Sequence, residues 1–404
     1  MSRSMSRDAA GRHRVVVTGM GLATPLGTEI GEFWRNLTGG VVGTGPVTRF
    51  DTDRYPTHRA AEVADPELTA PDATADPGAP RSVRYLRHSV GAALDHAGLP
   101  AHDGHRRAGI VVGTVMGTRP HVEELRRQGV PEGADLSWDS PQTLAGTPAR
   151  DFGLRGPRHV VAAGCAAGNT AIAMAADCIR SGQADAMVTG GVDELSETVF
   201  QLFTTLRALA PDQVRPFDRN RSGMLPSEGA GVLVLESWEH AARRGAPVLA
   251  ELSGYAVAAD AHHMTAPHPE GVGMVRCMRD SLEQAGFEPG DVDYVSAHGT
   301  GTPANDSLEG ACLAGYFGDR PAVSSVKGML GHSQGGASAI EAIACVLAVR
   351  HGRVPGNPTL LDVDESCAGL DLVRGPARDM PVRVALSNAF GFGGNTSAVV
   401  FARA

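Results

Sequence analysis

The chain has 404 residues, of which 42% are hydrophobic and 20% charged, and these proportions are ordinary for a globular protein. This length exceeds the size at which one hydrophobic core stops growing, so two packed domains or halves are expected. The formal net charge of −9 argues against nonspecific binding to nucleic acid or anionic membranes, while leaving room for a local arginine patch that meets an acidic partner.

Short β-branched runs alternate along the chain with longer alanine-rich stretches. The runs typical of strands are residues 14–18, 109–112, 186–189, 231–235, 292–296, 322–326 and 398–401. The stretches typical of helices are residues 82–97, 168–180 and 337–350. This alternation predicts an α/β fold, and the segment 62–80, rich in Ala, Pro, Asp and Thr, predicts an exposed loop.

The N-terminal segment could be mistaken for a secretory signal, because a basic, polar stretch precedes a fairly apolar one. Residues 15–21 instead favour a strand that runs into a glycine turn, and no small-residue cleavage site follows closely. The apolar stretch 339–349 is too short for a membrane span and contains Glu341. We therefore expect a soluble, cytoplasmic protein.

Six cysteines are scattered along the chain without a CxxC pair, at positions 165, 178, 277, 312, 345 and 367. This spacing indicates neither a zinc site nor a disulfide framework. Most of them are expected to be buried, small apolar residues in a reducing compartment.

Residues 168–172 and 336–340 open two alanine-rich helical stretches with similar sequences. Each follows a strand-like run and a glycine-bearing turn. So short a match between Gly/Ala-rich segments also arises by chance. If it is genuine, it indicates two similar α/β halves, each with functional residues at a helix N-terminus.

Cys165 follows a strand-like run and a glycine turn, and it is expected at the first turn of an alanine-rich helix. Its small neighbours leave room for a bulky acyl group. A helix N-terminus lowers a thiol pKa, and a backbone N–H there can stabilise an oxyanion. These features favour a nucleophile, although a buried structural cysteine, as expected for Cys178, is the common alternative.

Two histidines follow strand-like runs. His298 precedes a loop that carries the hydroxyls of Thr300 and Thr302, which suit a polar, flexible ligand arm. His332 follows a Lys-Gly turn that contains Lys327. A lone loop histidine is more often a surface residue, but two of them together with a cysteine at a helix tip form a plausible catalytic constellation.

Lys327 is the only lysine among the 36 basic residues of the chain. A position that requires lysine usually needs a compact charge on a flexible stem rather than the planar fork of arginine. Chance alone could also leave a single lysine in so arginine-rich a composition.

Residues 387–395 place three glycines around Phe390 and Phe392, so the backbone of this loop can approach a ligand closely. The loop has neither a following Lys-Ser/Thr pair nor a strand–GxGxxG–helix context, which argues against nucleotide binding. An oxyanion loop or an acyl-gating loop is expected instead.

Taken in chain order, these segments resemble the β-ketoacyl-acyl carrier protein synthases, or ketosynthases, of the thiolase fold. The resemblance rests on Cys165 and on residues 298–302, 327–332 and 390–394. Further matches at residues 16–21, 24–27, 215–218, 228–231 and 260–267 extend the likeness nearly end to end. It implies an α/β, layered αβαβα architecture of two similar halves, residues 1–252 with Cys165 and residues 253–404 with the two histidines and Lys327.

The resemblance also implies the site residues. The catalytic set would be the nucleophile Cys165, the histidines His298 and His332, and Lys327 with its glutamate partner Glu309. The substrate-binding set would be Thr300 and Thr302, which meet a phosphopantetheine arm, and Phe390 and Phe392, of which Phe392 gates the acyl pocket. The oxyanion hole would consist of the backbone N–H groups of Cys165 and Phe392.

The implied activity is that of a β-ketoacyl synthase, an acyltransferase. An acyl thioester held on Cys165 would undergo decarboxylative Claisen condensation with malonyl-acyl carrier protein. Neither a metal nor a separate cofactor is implied, because the phosphopantetheine arm of the carrier protein presents the substrates. The implied partners are the acyl carrier protein and a second subunit, in a homodimer or in a heterodimer with a chain-length-factor-like chain.

The pathway is left open between polyketide and fatty-acid biosynthesis. Gly164 with Cys165 and residues 305–306 and 331–333 resemble the ketosynthase subunit of type II polyketide synthases, whereas residues 388–396 resemble the fatty-acid type. Two other functions remain as alternatives. One is a non-catalytic subunit of the chain-length-factor type, which would lack the cysteine. The other is a non-decarboxylating acyltransferase or thiolase. A thiolase would need a second catalytic cysteine near the C-terminus, which residues 391–396 do not offer.

Overall fold

The computed structural model describes residues 6–7, 11–70, 78–99, 107–129 and 136–404. The strands are β1 (Val15–Ala23), β2 (Gly45–Pro46), β3 (Arg59–Ala60), β4 (Ala108–Gly113), β5 (Arg158–Val161), β6 (Ala186–Asp193), β7 (Gly229–Ser237), β8 (Ala250–Ala259), β9 (Tyr294–Ser296), β10 (Ala322–Ser324), β11 (Arg353–Val354), β12 (Asp371–Leu372), β13 (Arg378–Asp379), β14 (Val384–Phe390) and β15 (Asn395–Ala402). The helices are α1 (Ile30–Thr38), α2 (Pro66–Thr69), α3 (Arg81–Ala97), α4 (Arg119–Arg127), α5 (Thr143–Asp151), α6 (Ala167–Arg180), α7 (Glu197–Thr205), α8 (Trp238–Arg244), α9 (Val272–Ala285), α10 (Pro303–Phe317), α11 (Lys327–Leu330) and α12 (Ala337–His351).

Eleven of these strands form one mixed sheet, in the order β12-β10-β9-β14-β15-β8-β1-β7-β6-β4-β5. The two ends of the sheet repeat one pattern outward from its centre. In the orders β1-β7-β6-β4-β5 and β8-β15-β14-β9-β10, the first two pairings are antiparallel and the last two are parallel. At the centre β1 and β8 pair antiparallel, with Val15 opposite Leu252. The expectation of an α/β fold with two similar halves is confirmed.

Helices α6 and α12 form the middle layer of the molecule. They pack against each other and against strands of both halves, while α3 covers β1 and β7, and α9 covers β8 and β15. Every residue from 337 to 349 is buried, which is why α12 is apolar all round rather than along one stripe. The layers therefore follow the expected αβαβα order, and the N-termini of α6 and α12 meet near the middle of the molecule.

The helices expected from the sequence at 82–97, 168–180 and 337–350 are observed as α3, α6 and α12 with nearly the same bounds. The expected loop 62–80 differs, because it contains the short helix α2. The Asp65 carboxylate caps this helix by accepting from the Glu67 N–H, and Pro66 occupies its first position, a combination that favours a helix start. Residues 71–77 of that segment lie outside the described residues.

Five of the six cysteines are buried, Cys165 is partly exposed, and all six are free thiols. Burial of the five agrees with their expected role as small apolar residues. Among the helices in the described ranges, none combines the length and the apolar character that crossing a bilayer requires.

Candidate active site

Cys165 lies in the turn between β5 and α6. Gly164, directly before it, has a φ of +55°, and a Cβ at this position would lie 3.2 Å from the carbonyl oxygen of Phe392. Glycine therefore permits both the turn and the close approach of the two loops. The helix begins two residues later, at Ala167, so Cys165 precedes the first helical turn instead of lying within it.

The His332 imidazole contacts the Cys165 thiol, with 3.1 Å between Nε2 and Sγ. The backbone of His332 is held by the neighbouring chain segment, because its N–H donates to the carbonyl of Leu225 at 2.8 Å and its carbonyl accepts from the N–H of Ser227 at 3.0 Å. This contact places a base within reach of the thiol proton.

His298 lies beside His332, with ring centroids 5.5 Å apart and ring planes at 83°. The Lys327 ammonium lies 3.3 Å from Nδ1 of His298 and donates to its carbonyl oxygen at 2.7 Å. An ammonium can only donate, so Nδ1 accepts and the proton of the neutral ring resides on Nε2. Burial, assisted by the charge of Lys327, holds the pKa of both histidines well below the ordinary value, which keeps both rings neutral.

The carboxylate that contacts Lys327 is Glu341 on α12, not Glu309, so the predicted pairing is wrong. Glu309 is buried close by, but it accepts from the backbone N–H groups of His298 and Gly299, both at 2.7 Å. Burial raises the pKa of Glu309 and of Glu341 to about 7, and the Lys327 ammonium opposes the shift in both. Glu341 could have been noticed in the sequence as the one acid in an otherwise apolar helical stretch.

Burial raises the pKa of Cys165 to about 11, and the ammonium of Lys327 opposes this shift. The carboxylates of Asp193 and Glu341 add to it. The direction is opposite to the one expected from a helix N-terminus. The resting thiol is therefore protonated, and the ring nitrogen of His332 lies within reach of its proton.

A cleft of about 360 Å³ opens onto these groups. The predicted site residues on its wall are Cys165, His298, Thr300, Thr302, His332, Phe390 and Phe392. The hydroxyls of the two threonines are 2.8 Å apart. Phe392 is 38% exposed, and its ring centroid lies 5.7 Å from that of Phe203. Lys327 and Glu309 are not among the residues that line the cleft.

The backbone of the glycine-rich loop lies against Cys165. A Cβ at Gly391 would come within 2.8 Å of the Cys165 backbone nitrogen, so no side chain fits there. The N–H groups of Cys165 and Phe392 are thus carried on two backbone segments in close approach, as an oxyanion hole requires.

Cys165, His298 and His332 could in principle hold a metal ion, because their ligand atoms lie within 4.8 Å of one another. A thiolate and two imidazoles form a zinc-type donor set. However, Lys327 directs the lone pair of His298 toward itself, and the cleft-facing Nε2 then carries a proton instead of a free lone pair. The arrangement suits proton transfer and hydrogen-bond donation better than metal ligation.

The chain is similar to known proteins over nearly its whole length. The model of the β-ketoacyl synthase N-terminal domain matches residues 12–241, and that of the β-ketoacyl synthase C-terminal domain matches residues 249–360. A 3-oxoacyl-[acyl-carrier-protein] synthase 2 of Coxiella burnetii is 37% identical, over 97% of this chain and 99% of its own.

Two solved structures are similar over 97% of this chain and 100% of theirs. One is the ishigamide ketosynthase/chain length factor, with a TM-score of 0.91 at 39% identity. The other is a type II polyketide synthase acyl-carrier protein in complex with its ketosynthase bound to the hexaketide, with a TM-score of 0.87 at 29% identity.

Proposed function

The chain belongs to the β-ketoacyl synthase family, and we propose that Cys165, His298 and His332 carry out its reaction in the cleft described above. The protein is a β-ketoacyl-[acyl-carrier-protein] synthase, an acyltransferase that catalyses decarboxylative Claisen condensation. The observation that carries the assignment of residues is the 3.1 Å contact between Cys165 Sγ and His332 Nε2.

The first half-reaction loads the enzyme. Cys165 Sγ attacks the thioester carbonyl of an acyl group on a carrier protein, while His332 Nε2 accepts the thiol proton. The tetrahedral oxyanion takes hydrogen bonds from the backbone N–H groups of Cys165 and Phe392. The bond to the carrier sulfur breaks, the leaving thiolate takes the proton from His332, and the acyl group remains on Cys165.

The second half-reaction extends the chain. Before the second substrate reacts, the neutral ring of His332 exchanges its proton with solvent, so that Nε2 carries it. Malonyl-carrier protein then loses CO₂, and the electron pair of the broken C–C bond forms an enolate whose oxygen accepts hydrogen bonds from Nε2 of His298 and Nε2 of His332. Neutral rings are required, and burial together with Lys327 maintains them. The enolate carbon attacks the acyl carbon, the bond to Cys165 breaks, and the released thiolate takes up a proton from solvent. Loss of CO₂ drives the step, so no redox cofactor enters it.

The remaining residues of the cleft position the substrates. Thr300 and Thr302 offer hydroxyls to the amide groups of the phosphopantetheine arm. Phe390 lies with its ring 5.9 Å from that of His298, and the more exposed Phe392 gates the acyl pocket. Glu309 fixes the backbone of His298 and Gly299, and in this way holds the imidazole at the end of β9.

Two halves contribute to this one site. We assign Cys165 to an N-terminal half, residues 1–252, and His298, Lys327 and His332 to a C-terminal half, residues 253–404. The repeated strand order supports a division near this point, and β8, the first strand of the second half, begins at Ala250, three residues before the proposed start of that half.

The partners proposed are an acyl carrier protein and a second subunit, either another copy of this chain or a chain-length-factor-like subunit. We place the reaction in type II polyketide biosynthesis, with fatty-acid biosynthesis as the alternative. Co-purification of the native complex, with mass analysis of the bound subunit and acyl chain, separates these cases.

Incubation with acyl-carrier protein and mapping of the adduct tests the assignment of the nucleophile. The acyl group is expected on Cys165 and absent from the Cys165→Ala protein. A fully active Cys165→Ala protein with the adduct on another cysteine would overturn it. A non-catalytic, chain-length-factor-like role would leave Cys165 unacylated, and a non-decarboxylating acyltransferase would load Cys165 but release no CO₂ from malonyl-carrier protein.

A further inference from the structure

Asp193, the last residue of β6, is fully buried and saturated with hydrogen bonds. Its Oδ1 accepts from the Thr114 hydroxyl at 2.7 Å and the Met116 N–H at 2.8 Å. Its Oδ2 accepts from the Val115 N–H at 2.8 Å and the Gly335 N–H at 2.7 Å. Within the described residues no cation pairs with Asp193. Its carboxylate instead joins two backbone segments, residues 114–116 and the turn that contains Gly335.

One of those segments is the turn that follows His332. A Cβ at Gly335 would lie 2.7 Å from the Thr114 Cα, and one at Gly191 would lie 2.3 Å from the Gly335 carbonyl oxygen. The turn is therefore tightly packed between β6 and residues 114–116. Within it Gln334 has a φ of +53°, which is unfavourable for a residue with a side chain and persists only where the surroundings impose it.

We propose that Asp193 is a positioning residue whose carboxylate clamps the turn after His332 and thereby holds the His332 imidazole at the Cys165 thiol. This inference rests on the proposed function of His332. The backbone of His332 itself is held by Leu225 and Ser227, and the turn after it is held by Asp193 through Gly335. Residues of the N-terminal half thus hold the base of the C-terminal half on both sides.

The charge of Asp193 gives the proposal a separate signature. The charged groups that act on the Cys165 thiol are Lys327, which lowers its pKa, and Asp193 and Glu341, which raise it, while His298 and His332 are neutral. Replacing Asp193 by Asn removes one of the anions. It also replaces one carboxylate oxygen by an NH2 group, which cannot accept from the donors that now bind that oxygen. The thiol should then ionise more readily while the reaction that needs an aligned His332 becomes slower.

The experiment compares Asp193→Asn with Glu236→Gln in the full chain. Glu236 is a matched control because it is equally buried, on the adjacent strand β7, and its carboxylate accepts from the side chains of Thr18 and Arg244. Glu236 does not line the cleft. Condensation rate, thermal melting and the ultraviolet absorbance of the Cys165 thiolate between about pH 7 and pH 10 are measured. The absorbance is taken as the difference from the corresponding Cys165→Ala protein.

Asp193→Asn should slow condensation at least tenfold, roughly the effect of losing one positioned donor or base, and should show more thiolate than wild type at each pH. Glu236→Gln should lower the melting temperature without changing the condensation rate or the amount of Cys165 thiolate. The proposal is overturned if Asp193→Asn condenses within about threefold of wild type, or if both variants lose the same activity with no gain of thiolate.

A variant that does not fold is replaced by Thr114→Val, which removes one donor to the same carboxylate. It should show a smaller loss of condensation, and wild-type condensation in a folded Thr114→Val protein would count against the clamp. If wild-type protein itself fails to condense the substrates, the proposed function is at fault rather than the role of Asp193.

Discussion

The Lys327 ammonium lies 3.3 Å from Nδ1 of His298, and this contact sets the proton that the imidazole can offer. Because Nδ1 must accept, Nε2 donates into the cleft. The same ammonium lowers the pKa of the two histidines and of the Cys165 thiol. The only lysine of the chain therefore acts on all three groups that we propose to react, although it does not line the cleft.

Replacing Lys327 by Arg should impair condensation almost as much as replacing it by Ala, by about 10²-fold or more. The side chain is 1% exposed and is enclosed by His298 and Glu341, so the larger planar guanidinium does not fit the same network. Condensation rate and thermal melting are measured for both variants. Arg276→Lys, at a side chain 60% exposed, is the control and should behave as wild type. Near wild-type turnover of folded Lys327→Arg would contradict this reading.

Replacing Glu341 by Gln should be more destabilising than replacing Glu309 by Gln. The first change leaves a buried ammonium without its carboxylate, a loss on the scale of about 3–5 kcal/mol. The second keeps an acceptor for one of the N–H groups of His298 and Gly299 and leaves the other facing an NH2 group, which should cost about 1–3 kcal/mol. Denaturant unfolding of both variants measures the difference. The reverse order would mean that Glu309 is the functional partner of Lys327.

Replacing either histidine by Ala should separate the two half-reactions. Acylation of Cys165 should stay detectable, whereas condensation should fall by about 10²-fold or more, since each ring donates to the enolate. Acylation should suffer more in His332→Ala than in His298→Ala, because only His332 contacts the thiol. Mass analysis of acyl-Cys165 and release of CO₂ from malonyl-carrier protein follow the two steps. Equal loss of both steps in both variants would refute this division.

The pH dependence should report the charge of Lys327. The pKa of each histidine is held well below 6.5, so both rings stay neutral as the pH falls below 6.5. As neutral rings they can still donate hydrogen bonds to the enolate. Replacing Lys327 by Met removes the cation and lets both pKa values rise. The residual malonyl decarboxylation of the variant should then decline at a higher pH than that of wild type. A decline at the same pH or at a lower one would show that Lys327 does not set the charge state of the histidines.

Much of the fold was predictable from the sequence, because its signals are local. Alanine-rich stretches identified α3, α6 and α12, and β-branched runs identified most long strands, usually shorter than observed. Cys165 and His298 could be singled out because each closely follows a strand-like run. His332 follows the next such run, after the expected Lys-Gly turn, which the structure shows to be the short helix α11. The parallel edges of an α/β sheet bring such turns together, and all three side chains line one cleft.

The partner of Lys327 and the ionisation of Cys165 were decided only by the tertiary structure. Glu309 and Glu341 both lie on helices near the site, and only the packing of α12 between the halves puts Glu341 in contact with the ammonium. The thiol was expected to favour ionisation from its place before a helix, but burial raises its pKa to about 11. The burial of these side chains, and the charges around them, arise only when two parts of the chain that are distant in sequence pack together. A local sequence pattern therefore cannot predict them.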